Sequence, residues 1–316
     1  MAEEPKYLLP EPEKEVARLT EQDAVITHLM NGKRILPPID LTRPGLRILD
    51  SGTADGLFLR AIQPLLTAEG EPPTLLGYDI MPSFFPPSPM VPPHTTLAVH
   101  DIAEPWPAGL QGTCDLVHQR FTIPGGTGAG RATPRGVVRG LCRLVRPGGW
   151  IQLVEMDVTG GAGHGPAMRD AWAVTGAFLA AAGAGTDYSK DMAGWLREEG
   201  FENVHDERVD LDVGARVKDT KWATRSAKIL VEAFTGVVGA CKSEFNPALI
   251  PPSNVRGFTF VLLTPHFPVD LVMKLDLPSS LSGSLDEIPG RAEEELTKQG
   301  GIYPLVFAFA QKPATT

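Results

Sequence analysis

The sequence predicts an α/β fold built on a doubly wound, mostly parallel sheet, and three observations carry that prediction. From about residue 46 onward, short β-rich runs alternate with helical patterns, the order in which parallel strands and crossover helices succeed one another. The stretch LRILDSGTADG (46–56) reads as a strand, a tight turn and the start of a helix. Acidic residues stand at the ends of three successive strand candidates: Asp50, Asp79 and Asp101.

An N-terminal helix is expected over residues 13–31, where Val16, Leu19, Ile26, Leu29 and Met30 are spaced for one face and Gly32 marks the stop. After Pro-rich PPIDLTRPG come strand LRILD, helix GLFLRAIQPLL, strands TLLGYDI, TTLAVH and DLVHQ, helix RATPRGVVRGLCRLV and strand GWIQLVEM. MPSFFPPSPMVPP (81–93) holds six prolines, which remove amide donors and clash in a helix interior, so no ordinary helix joins the second and third strands. AMRDAWAVTGAFLAAAG and SKDMAGWLREEGF read as helices, the second capped and closed by Gly200. Two more helices are expected around 221–242 and 288–299. The apolar, Pro-punctuated run between them (243–284) reads as a lid. YPLVFAFAQKP reads as a last strand at the sheet edge. The expected organisation is a helical cap segment over 1–44 and a main domain over 45–316, with lid insertions at 160–186 and 218–300.

At 316 residues and 42% hydrophobic, the chain suits one elaborated domain. A net charge of −9, without a run of clustered Lys and Arg, argues against a nucleic-acid partner, whose phosphates demand cations. The start MAEEPKYLLPEPEKE has no apolar core for a secretory signal, and no apolar run is long enough to span a bilayer. The expectation is a cytoplasmic protein with a small-molecule partner and no membrane contact. The apolar insertion is compatible with a homodimer. Cys114, Cys142 and Cys241 lie far apart and read as reduced core thiols, with neither a disulfide framework nor a metal site.

Gly52 and Gly56 bracket Thr53, Ala54 and Asp55, so the backbone can turn tightly there. The middle glycine of a G-x-G pattern is absent, which makes a poor pyrophosphate cradle and favours a cofactor without phosphate. Asp50 is placed to accept from a cationic amino group, Asp79 from both ribose hydroxyls and Asp101 from an adenine amino group. Each acid alone fits equally a helix cap or a loop. Together they outline an adenosine bearing an amino acid, and S-adenosylmethionine is the cofactor expected, with Ser51, Ile80 and Ile102 beside those acids in its site.

On YLLPEPEKEVARLTEQ, ILDSGTADG, DLVHQR and LVRPGGWIQLVE, the chain resembles the class I S-adenosylmethionine-dependent methyltransferases. More narrowly, it resembles the fungal branch related to the secondary-metabolism regulator LaeA. The likeness covers most of residues 7–200 and the ending PLVFAFAQKP. It implies a Rossmann-like methyltransferase fold with seven strands, and it puts Tyr7, Arg18 and Gln22 near the cofactor. Where that family often has His after the Gln, this chain has Asp23.

Methyl transfer from a sulfonium needs alignment rather than a metal, and an oxygen or thiol acceptor gains from a base. His118 and Arg120, at the end of the fourth strand, are the catalytic candidates: His118 contacts the cofactor or acts as base, and Arg120 orients a polar or anionic acceptor. Their structural alternatives are a core-packed His118 and an Arg120 paired with a structural acid. Glu155 is a second polar wall or a loop cap. His164, in GGAGHGP, reads as a solvated loop histidine, and Trp172, Phe178 and Trp195 read as core. IPGGTGAGR lacks the Lys-Ser/Thr of a phosphate loop and reads as a flexible rim. The function expected is methylation of a small, largely apolar natural product. Two alternatives compete with it: a methyltransferase-like regulator or cyclisation catalyst, and a nicotinamide-dependent oxidoreductase.

Overall fold

The computed structural model describes residues 12–66, 69–160, 163–242, 277 and 279–314. Tyr7 and nearly all of the lid expected between 243 and 284 lie outside the described residues. Helix α1 (Pro12–Leu29) leads into β1 (Arg47–Ser51), α2 (Leu57–Ile62), β2 (Thr74–Asp79), β3 (Thr95–Val99), β4 (Cys114–Arg120), α3 (Pro134–Leu144) and β5 (Val145–Met156). Then follow α4 (Pro166–Ala181), α5 (Tyr188–Glu198), β6 (Glu202–Val213), α6 (Thr220–Lys242), α7 (Ile288–Lys298) and β7 (Gly301–Gln311).

The strands form one seven-stranded sheet in the order β3-β2-β1-β4-β5-β7-β6. The pairs from β3 to β5 are parallel, while β7 runs antiparallel to both β5 and β6. The last strand is therefore inside the sheet and not at its edge, as its burial on both faces requires. Pro304, which has no amide to donate, lies just beyond the last β5–β7 pair, Met156 with Leu305. There its carbonyl accepts from Asp157 N at 3.0 Å.

On one face of the sheet, Phe58, Leu59 and Ile62 of α2 pack on Ile48, Leu75, Leu116 and Trp150. The other face carries Leu49, Val117 and Ile151 beneath α3 and α5. In α3, Val137, Val138, Leu141, Cys142 and Leu144 form the buried stripe, and Thr133 caps it by accepting from Gly136 N. Between β2 and β3 the chain makes only 3-10 turns, at Pro82–Phe84 and Ser88–Met90, as the prolines dictate. Helix α5 begins at Tyr188 without the side-chain cap expected for it, and Gly200 closes it at φ +79°. All three cysteines are buried and unpaired. Among the described residues no helix is long and apolar enough to cross a membrane.

Candidate active site

A cleft of about 610 Å³, counted with its open mouth, lies at the carboxyl ends of β1 and β4, where ligands bind in doubly wound sheets. Its lining includes Gln22 of α1, Gly52 to Asp55 of the turn after β1, Phe58 of α2, His118, and Arg120 to Thr122. Asp50 and His118 are register partners on adjoining parallel strands, and parallel neighbours in register present their side chains on one face. Asp50 Oδ1 and His118 Nδ1 lie 2.7 Å apart, both residues buried. A carboxylate only accepts, so Nδ1 is the donor of this bond, and it is the neutral form of the ring that offers Nε2 as an acceptor. Phe58 stacks on the imidazole at 3.7 Å and 7°, fixing its plane.

The turn after β1 is held by Gly52 N and Thr53 N, which donate to Tyr78 O at 2.8 and 3.0 Å. Gly52 adopts φ +73°, and a Cβ there would lie 2.1 Å from Thr122 Cγ2. Glycine is thus required by conformation and by space. Ala54 also takes a left-handed conformation, φ +49°, at the place where the sequence lacks its middle glycine.

Asp79 is buried, and its carboxylate accepts from Ala54 N at 2.8 Å and Met81 N at 2.9 Å, holding the turn in place. Ile80 packs with Ala54, Met81 and Phe84 beside that turn, and Ser51 is buried at the end of β1. Asp101 pairs with Arg131, which also donates to Gly125 O at 2.8 Å and Gly128 O at 3.2 Å. Ile102 is half-buried against the main core. The glycine-rich segment is tied down in its first half: Ile123 to Gly126 form a buried 3-10 turn, Thr127 is buried at its end, and Arg131 holds the segment to Asp101.

Arg120 lines the cleft and donates through Nη2 to Asp23 Oδ1 at 2.8 Å. Arg34 donates to the other oxygen of Asp23 at 2.7 Å. Burial alone would raise the Asp23 carboxyl, but Arg120 and Arg34 outweigh it and hold Asp23 below the usual carboxylate range. The residue that stands in place of the expected histidine is thus the acid that Arg120 pairs with. Gln22 donates to Tyr303 Oη at 3.3 Å. Arg18 is bound bidentately by Glu15 on its own helix, at 2.9 and 2.6 Å.

Glu155 is fully buried and lies outside the cleft lining. It accepts from Gln119 Nε2 (2.6 Å), Ile123 N (3.0 Å) and Tyr188 Oη (3.1 Å), which braces the turn after β4. Burial pushes its carboxyl up to about 7 against those hydrogen bonds. His164 overturns its expected solvation: it is only 7% exposed, and burial lowers its pKa. Trp172 and Phe178 are core, and Trp195 is half-buried against it. The residues that local reading missed are Phe58, Thr122 and Gln119, which are ordinary core or loop types in sequence.

A seven-stranded sheet of this order, with a glycine turn after β1 and acids ending or following β1, β2 and β3, defines a Rossmann-like methyltransferase fold. The comparison with known proteins agrees. The chain is 30% identical over 298 residues to the methyltransferase psoC of Aspergillus fumigatus, covering 94% of each protein. It is 38% identical over 230 residues to the N-methyltransferase sirN of Leptosphaeria maculans, covering 72% of this chain and 77% of that one. With the N-methyltransferase tcpN of Claviceps purpurea it shares 34% over 215 residues, 66% of this chain and 74% of that one. The chain belongs to this family of fungal methyltransferases. No protein-family model matches it. Among solved structures, phosphoethanolamine N-methyltransferase 2 of Haemonchus contortus aligns at a TM-score of 0.45 and 13% identity, over 93% of this chain and 52% of that one. That likeness bears on neither substrate nor chemistry.

Proposed function

We propose that the protein transfers the methyl group of S-adenosylmethionine to a nitrogen of a small, largely apolar natural product, and that it stands near the LaeA-related branch. The observation that carries this reading is the Asp50–His118 pair, which opens into the cleft beside the glycine turn. The cleft suits a phosphate-free donor: beside the tight Gly52 turn, which Thr122 packs against, Thr53 and Thr122 carry buried hydroxyls without partners among the described residues.

The donor supplies a methyl on a sulfonium, already activated for in-line displacement. This chain's own residues then have three tasks. Asp50 holds the imidazole and supports the charge it gains, and His118 Nε2 takes the proton that the acceptor nitrogen loses. Leu19, Leu57 and Phe121 supply the apolar part of the wall. The relatives named N-methyltransferases support nitrogen as the acceptor atom. The test is release of S-adenosylhomocysteine from S-adenosylmethionine with a panel of apolar secondary amines and the corresponding alcohols. Turnover with amines, lost on His118→Ala, is expected; turnover with alcohols alone would overturn the nitrogen assignment.

A further inference from the structure

Three polar residues of the cleft wall, Thr53, Thr122 and Arg120, keep hydrogen-bonding capacity that the described residues do not use, and two of them adjoin Phe121. Thr122 Oγ1 is buried with no hydrogen-bond partner, on a residue that is 2% exposed and lines the cleft. A buried hydroxyl is ordinarily satisfied, and an orphan at a cleft wall is what a ligand's donor would satisfy. Arg120 uses Nη2 on Asp23, and its other guanidinium nitrogens have no hydrogen-bond partner among the described residues. Asp23 is in turn fixed by Arg34, so the three charges sum to +1 beside the cleft.

Phe121, between these residues, adopts φ +59°, a conformation that a bulky side chain rarely takes. The turn it makes brings Thr122 over the glycine loop, where a Cβ on Gly52 would lie 3.1 Å from Thr122 Oγ1. Arg120 and Thr122 therefore both line the cleft, on either side of the Phe121 turn, one a cationic fork and the other a neutral acceptor.

We infer that Arg120 and Thr122 form a cradle for a zwitterionic amino-acid group, the methionyl end of the donor. The guanidinium fork takes the carboxylate, and the Thr122 hydroxyl accepts from the ammonium. Asp23 is the positioning residue, aiming the fork while Arg34 holds Asp23. This assignment rests on the S-adenosylmethionine reading. It moves the ammonium from Asp50, which His118 already engages, to Thr122.

The test is calorimetric titration of the full chain with S-adenosylhomocysteine, its decarboxylated analogue and its deaminated analogue. Wild type is expected to bind the parent nucleoside at least tenfold tighter than either analogue. Arg120→Gln loses tenfold or more on the parent and the deaminated ligand and leaves the decarboxylated one unchanged, with Arg120→Lys recovering part of the loss. Asp23→Asn shifts affinities in the same pattern by a smaller factor. Thr122→Val loses several-fold on the parent and the decarboxylated ligand only, with a melting temperature no lower than wild type, because no protein partner is lost. Equal losses on all three ligands would make these residues merely structural and overturn the cradle. No change on any ligand would also overturn it, and would assign the anion at Arg120 to the acceptor. Wild type that binds none of the three removes the donor reading itself, a different failure from loss of the cradle alone.

Discussion

Asp50 and His118 were each legible as strand-end residues, but their pairing was not. It depends on the register of β1 on β4, two strands 68 positions apart at this pair, and no local pattern encodes such a register. The same holds for Arg120 and Asp23, which stand 97 positions apart. His118→Ala is expected to lower kcat by about 10²–10⁴-fold, the usual worth of a general base, while S-adenosylhomocysteine affinity stays within a few-fold. Loss of affinity with unchanged kcat, read from steady-state kinetics and titration, would make His118 a binding residue only. Ala54 is strained at φ +49°. A left-handed L-residue costs roughly 1–2 kcal/mol, partly offset by the freedom glycine adds to the unfolded chain. Ala54→Gly should therefore stabilise by up to about 1 kcal/mol, seen as a rise of a few degrees at most in thermal denaturation.

At the scale of elements, the strands before β6 were readable because their apolar runs are short, bounded and in order. Strand β6 escaped because its exposed face is charged and because the register slips between Glu202 and His205. Its inward residues Val204 and Val209 consequently fall five apart instead of two or four. The reading of β7 as an edge strand rested on the alternation in YPLVFAFAQKP, although its nearly unbroken apolar run already fitted an interior strand.

The turn after β4 rests on Glu155, faced by Gln119, Tyr188, Tyr303 and the amides of Thr122 and Ile123. Because its pKa is raised from 4.5 to about 7, the native state binds more protons than the unfolded chain across that window. The stability Glu155 contributes is thus fully present below the lower value and is lost as pH rises through the upper one. The size of the step is on the order of 3 kcal/mol. Urea midpoints should fall between pH 5 and 8 for wild type, and Glu155→Gln should flatten that slope. An unchanged slope would place the titrating group elsewhere.

For the whole molecule, the sheet order brings the carboxyl ends of β1 and β4 side by side under α1, and this is what turns dispersed residues into one cleft. Helix α1 is fastened there to α6: Arg225 pairs with Glu21, and His28 stacks on Trp222 at 3.9 Å. The loop behind it is tied to the sheet by Gln152, which accepts from Leu36 N and donates to Arg34 O, each at 2.8 Å. Gln152→Leu strands both backbone groups, each worth about 1–3 kcal/mol if left unpaired. It should lower stability by that order and weaken nucleoside binding through the displaced α1, both measurable on one purified variant.

The most direct measurement is titration of wild type and Gly52→Ala with S-adenosylhomocysteine, with NADH as a control. A cleft built for a phosphate-free donor predicts one-to-one micromolar binding to wild type, weakened by tenfold or more, about 1.4 kcal/mol, when the added methyl collides with Thr122. NADH should not bind. Folded wild type that ignores S-adenosylhomocysteine, or that prefers NADH, would contradict the donor assignment and the site built on it.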